Sequence, residues 1–98
     1  MEIIKSLNNG ELVITLKGEL NTSTAPQLES IISSSLKCVN TLIFDFAELN
    51  YISSAGLRIL LVSKKVMDKQ GELIVRHPNN EVMEIFEITG FKDILTIE

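Results

Sequence analysis

At 98 residues and 45% hydrophobic composition, the chain holds enough apolar material for one compact domain, spanning residues 1–98, and too little length for a second. Its formal net charge of −4 argues against the basic stripe of a phosphate-tracking nucleic-acid binder and directs attention to protein partners. Cys38 is the single cysteine, which excludes an internal disulfide and a cysteine metal cluster and fits an inert buried thiol in a reducing cytoplasm.

The N-terminus MEIIKSLNNG has no charged region followed by an apolar one, and no stretch approaches the ~20 apolar residues of a bilayer span. The expectation is a soluble, unprocessed cytoplasmic protein that meets neither membrane nor nucleic acid.

In chain order, EIIKSL and ELVITLKG read as two strands around a glycine turn, the second alternating Leu12, Ile14 and Leu16 with Val13, Thr15 and Lys17. The period then changes. Leu28, Ile31, Ile32 and Leu36 recur at helical spacing, Asn21 to Thr24 supply capping oxygens, and Pro26 suits a first turn. TLIFDF is a short apolar strand, and AELNYIS leads out of it as a loop. A helix follows from Ala55 to about Lys69, closed by Lys64, Lys65 and Lys69 and ended by Gly71. ELIVRH is a further strand, NEVMEIFEIT a short helix stopped by Gly90, and DILTIE a last short strand.

Strands alternating with helices from residue 11 onward predict an α/β fold. Its sheet is mixed and mostly parallel, of about five strands joined by right-handed crossovers, with the N-terminal hairpin strand antiparallel near the edge and helices packed against the sheet.

YISSAGLRILL sets Ser53 and Ser54 between the carboxyl end of a central strand and the amino end of a buried helix, where open α/β sheets place their sites. A single serine there is most simply an N-cap. The cap leaves the second hydroxyl unaccounted for, and Ala55 and Gly56 keep the first turn bare, so that its amides can meet an anion such as phosphate.

These residues resemble the signature of STAS domains of the anti-sigma-factor-antagonist type: aromatic or apolar, Met/Ile, Asp, Ser, Ser/Thr, Gly, Leu. LKGELNTSTAPQLE is similar to the family's Gly-Glu-Leu-Asp element and the start of its first helix, LIFDF to its central strand, and IFEITGFKDIL to its C-terminal ending. The resemblance covers nearly the whole chain and implies the STAS fold and a bacterial partner switch in transcription regulation. In that switch an ATP-dependent serine kinase, itself the anti-sigma factor, phosphorylates the antagonist, and a serine phosphatase of the metal-dependent class reverses this. The unmodified antagonist binds the kinase and frees the sigma factor.

Aligned residue by residue, Tyr51 and Ile52 take the apolar positions, Ser53 the aspartate position and Ser54 that of the phosphorylated serine. Ala55 stands for Ser/Thr, Gly56 and Leu57 match, and Asn21 replaces the aspartate of the Gly-Glu-Leu-Asp element. Ser54 is thus the implied phosphoacceptor, with Ser53 second. The implied partner-binding set is Glu19, Asn21, Thr22, Ser53, Ser54, Ala55, Gly56, Leu57 and Arg58, extended along the exposed side of the helix to Ser63. These segments share one end of the molecule, because βα loops cluster at the carboxyl end of a parallel sheet.

Other readings carry less. Ser54, His77 and Asp45 can be drawn as a hydrolytic triad, but there is no Gly-x-Ser-x-Gly, and Asp45 more simply orders the loop after its strand or supports the serine turn. No glycine loop, His/Cys cluster or spaced carboxylate set points to a nucleotide, metal or other cofactor. Glu81, Glu84 and Glu87 form a solvated face opposite Val82, Ile85, Phe86 and Ile88, or an acidic rim for a partner. The nonenzymatic alternative is a STAS adaptor that works without phosphorylation in another signalling complex.

Overall fold

The computed structural model describes residues 1–98. Strand β1 (Glu2–Asn8) turns back on β2 (Glu11–Leu20) through Asn9 (φ 52°) and Gly10 (φ 81°), a two-residue turn with both central residues left-handed, the geometry that matches strand twist in tight hairpins. Helix α1 (Ala25–Ser35) leads to β3 (Thr41–Ile52), α2 (Ser54–Met67) to β4 (Glu72–Arg76), and α3 (Asn80–Thr89) with the one-turn α4 (Phe91–Ile94) to β5 (Thr96–Ile97). The strands lie in chain order, β1–β2 antiparallel and every later pair parallel.

A sheet in chain order with right-handed crossovers carries its crossover helices on one face. Packing agrees: Leu28 and Ile32 of α1, Leu57, Leu60 and Met67 of α2, and Val82 and Phe86 of α3 join Leu12, Ile14, Leu16, Phe44, Phe46, Leu73 and Val75 in one core. Phe46 stands between Phe44 and Phe86, at centroid distances of 5.8 and 6.5 Å. Ile43 is buried yet belongs to the opposite face, in register with Val13 and Ile74.

Several expectations need correction. AELNYI is no loop: β3 continues to Ile52, its register shifting against β2 between Thr15 and Lys17 and again between Gly18 and Glu19. Helix α2 stops at Met67, and DILTIE divides between α4 and the two-residue β5. Cys38 is exposed, because it occupies a left-handed turn position (φ 64°) between α1 and β3. Ser63 is buried instead of exposed; its hydroxyl is satisfied by donating to Ile59 O one turn back at 2.8 Å, which lets a serine sit inside the core. Ile88 is 78% exposed on the last turn of α3, away from Val82 and Phe86, while Glu81, Glu84 and Glu87 are exposed as expected.

Candidate functional site

β2 and β3 end side by side, with Glu19 opposite Tyr51 and Leu20 opposite Ile52. Ser53 N donates to Leu20 O at 2.8 Å, which ties the turn between β3 and α2 to the neighbouring strand end. Ser53 is the extended N-cap of α2 (φ −98°, ψ 177°), and its carbonyl accepts from Leu57 N at 2.9 Å.

The Ser53 hydroxyl does not cap the helix. Its Oγ is buried and bonds to no protein group, so the simple serine cap is incorrect here. Ser54, the first residue of α2, is exposed. The two hydroxyls therefore differ in access: that of Ser53 faces the interior without a partner, and Ser54 is open to solvent.

Gly56 explains how the turn fits. A Cβ at that position lies 2.7 Å from Leu20 Cγ and 2.8 Å from Ile52 Cγ1, closer than carbon atoms pack, so glycine lets the first turn of α2 rest on the two strand ends without displacing them. Gly56 and Leu57 are buried. This side of the turn packs inward, so of the proposed partner-binding residues these two offer little exposed surface. Ala55 is half-buried, and Glu19, Thr22 and Arg58 are exposed.

The loop before α1 is held by Asn21. Its Oδ1 accepts from Ser23 N at 2.9 Å and Thr24 N at 3.1 Å, and Thr24 Oγ1 donates to Glu19 O and accepts from Asn21 N, each at 2.8 Å. An amide carbonyl thus supplies the acceptor that an aspartate would offer in such a turn. Asn21 positions the loop more than it presents a surface. Thr24, the α1 N-cap, makes no side-chain cap bond, and Pro26 stands in the first turn as expected.

The sequence names Tyr51 as an apolar position of the signature and the two asparagines after Pro78 as a helix start, without placing either at the site. Tyr51 is 44% exposed beside Glu19, adding an aromatic edge to the Ser54 patch; an aromatic residue at a strand end next to two serines was the available signal. Asn79 caps α3 by accepting from Val82 N at 2.8 Å and donates through Nδ2 to Leu49 O at 3.0 Å, fastening α3 to the extended part of β3. Arg58 reaches across to α1, its Nη2 lying 3.9 Å from Glu29 Oε2.

Asp45 Oδ1 accepts from Ala47 N at 3.0 Å and lies 3.7 Å from Nδ1 of the exposed His77, whose backbone is left-handed (φ 60°). Asp45 thus bonds within β3, where the expected loop does not exist, and Ser54 takes no part in that pair. The one pocket, about 310 Å³, is open and runs along the second half of α2 between Val62, Lys65, Val66, Lys69 and Gln70, away from Ser54. No group of three or more His, Cys, Asp or Glu side chains is placed to hold a metal ion, and no helix is long and apolar enough to cross a membrane.

Comparison with known proteins agrees with this geometry. The STAS domain family matches residues 2–98. BtrV of Bordetella bronchiseptica, provisionally named an anti-sigma factor antagonist, is 37% identical over 99% of this chain and 85% of its own length. The anti-sigma-B factor antagonist of Listeria monocytogenes is 30% identical over 97% of this chain and 85% of its own. Among solved structures, the Bacillus anti-sigma factor antagonist SpoIIAA in its unphosphorylated form superposes with a TM-score of 0.87 at 23% identity, over 99% of this chain and 88% of that one. Its phosphorylated form gives 0.78 at 22% identity, over 99% and 91%. With the mixed five-stranded sheet and the helices packed against it as expected, this chain belongs to the STAS domain family.

Proposed function

We propose that the chain is an anti-sigma factor antagonist that binds an anti-sigma factor with serine kinase activity and is switched off by phosphorylation of Ser54. The observation that carries this reading is the contrast at the start of α2: Ser54 is exposed on a helix fixed to the ends of β2 and β3, while the Ser53 hydroxyl is buried. The names of the two relatives above support the class of function. In the modification step, the γ-phosphoryl group of ATP passes to Ser54 Oγ, the hydroxyl proton is lost and ADP leaves. A metal-dependent serine phosphatase hydrolyses the ester, returning serine and inorganic phosphate. The protein itself is a regulator, not an enzyme, and acts in the cytoplasm on these partners.

A phosphate on Ser54 adds about −1.5 to −2 charge where the helix dipole tolerates it, so the fold persists and the surface changes. A partner fitted to a neutral hydroxyl, Tyr51 and the exposed Arg58 side of α2 then meets a hydrated dianion whose desolvation or repulsion costs several kcal/mol, and each ~1.4 kcal/mol is tenfold in affinity.

The test is affinity capture from the source organism's lysate with wild-type protein and Ser54→Asp as parallel baits, with mass spectrometry of bound proteins and of both serines. An ATP-binding serine kinase retained by the wild type and released by the aspartate variant is the expected result. The same partners on both baits, with neither serine phosphorylated, contradict the switch and make the protein a phosphorylation-independent adaptor.

A further inference from the structure

We propose that Arg58 holds the phosphate of phosphorylated Ser54, giving up Glu29 to do so; this rests on the reading of Ser54 as phosphoacceptor. Ser54 and Arg58 stand four residues apart on α2, hence one above the other on the same exposed face. Side chains on a helix lean toward its N-terminus, so the Arg58 stem points back over the turn that carries Ser54.

Arg58 is available for the exchange. Its present partner, Glu29 of α1, lies 3.9 Å away, with the two side chains 68% and 57% exposed, an arrangement that contributes little to stability. A phosphoserine dianion offers more charge than a carboxylate and several acceptor oxygens for a bidentate guanidinium. On the helices beside the turn, Arg58 has no rival. Arg58 is the only Lys or Arg between Ala25 and Ser35 of α1 or between Ser53 and Ser63 of α2. On the strands, Lys17 is 3.4 Å from Glu48 and the Met1 amino terminus lies beside Gly18; Lys64, further along α2, is engaged by Asp68. The remaining charges around the turn are the carboxylates of Glu19 on β2 and Glu29 on α1, both exposed, and they disfavour the dianion. Arg58 is the cation on Ser54's own helix face that opposes them.

The test uses the full chain with phosphoserine installed genetically at position 54, followed by ³¹P nuclear magnetic resonance across pH. Arg58 favours the dianion, so its removal raises the pH at which the phosphate loses its second proton. Arg58→Ala is expected to move the titration midpoint up by ~0.5 pH unit, Arg58→Lys by less, and Glu29→Gln is expected to move it down. Amide spectra of each variant verify that the fold is intact. Equal midpoints in the wild type and Arg58→Ala overturn the proposal. Because the phosphate is installed during synthesis, this readout is independent of any kinase. A shift here without phosphorylation in the capture experiment refutes only the acceptor reading, and phosphorylation there without a shift here refutes only the role of Arg58.

Discussion

Where the parallel strands begin, the chain is stitched to itself: Asn40 N and Thr41 N donate to Gly10 O, Glu72 N donates to Asn40 O, and Gln70 Nε2 donates to Leu36 O and Val39 O at 2.7 Å each. Where β2 and β3 end, the turn into α2 is held to the neighbouring strand by Ser53 N on Leu20 O and by the fit of Gly56, while Ser53 Oγ goes unpaired and Ser54 and Tyr51 are exposed. The first end uses its polar groups internally. The second leaves Ser54 and Tyr51 open to solvent, the arrangement by which a rigid scaffold presents a changeable surface.

The sharpest way to break the stitched end is Gly71→Ala. Its Cβ lies 1.7 Å from the backbone oxygen of Asn40, which cannot yield without losing the bond from Glu72 N. A loss of about 3 kcal/mol or more in urea unfolding is expected, with any surviving folded protein keeping an unaltered Ser54 surface. Gly56→Ala acts at the other end, where the obstacles are side-chain carbons of Leu20 and Ile52. These can shift, so the expected loss is smaller, about 2 kcal/mol, but the shift moves the first turn of α2 and weakens partner retention as well. A variant that binds its partner normally at full occupancy contradicts the coupling of that glycine to the site.

The smallest effect sharpens the comparison most. Ser53→Ala removes a buried hydroxyl that has no partner, so the unfolding midpoint should stay within ~0.5 kcal/mol of the wild type or rise, whereas loss of a working cap costs ~1 kcal/mol. A clear loss of stability shows that the hydroxyl is satisfied in solution.

Much of this was legible in the sequence where one period persists. Leu12, Ile14 and Leu16 alternate, α1 and α3 carry helical stripes, and Asn9-Gly10 marks its turn; the family signature located the serine pair. The reading failed where the period breaks. After Phe46 the buried residues of β3 are Leu49 and Ile52, three apart, because the register shifts against β2 interrupt the alternation. Four residues of α4 are too few to show any period. Ser63 was misplaced because a hydroxyl bonded to its own helix reads as polar in the sequence while its surroundings are core. Gly56 was read as baring the first turn and Leu57 as matching the signature; the burial of both, and the approach of Leu20 and Ile52 to Gly56, become visible only in the fold.

The most direct test of the account is site-resolved phosphorylation. The kinase retained by the wild-type bait, purified and supplied with ATP, is offered the wild type, Ser53→Ala and Ser54→Ala, and incorporated phosphate is localised by mass spectrometry. The account predicts one phosphate on the wild type and on Ser53→Ala, and none on Ser54→Ala. Phosphate on Ser53 in the Ser54→Ala protein, or on neither serine in the wild type, contradicts it.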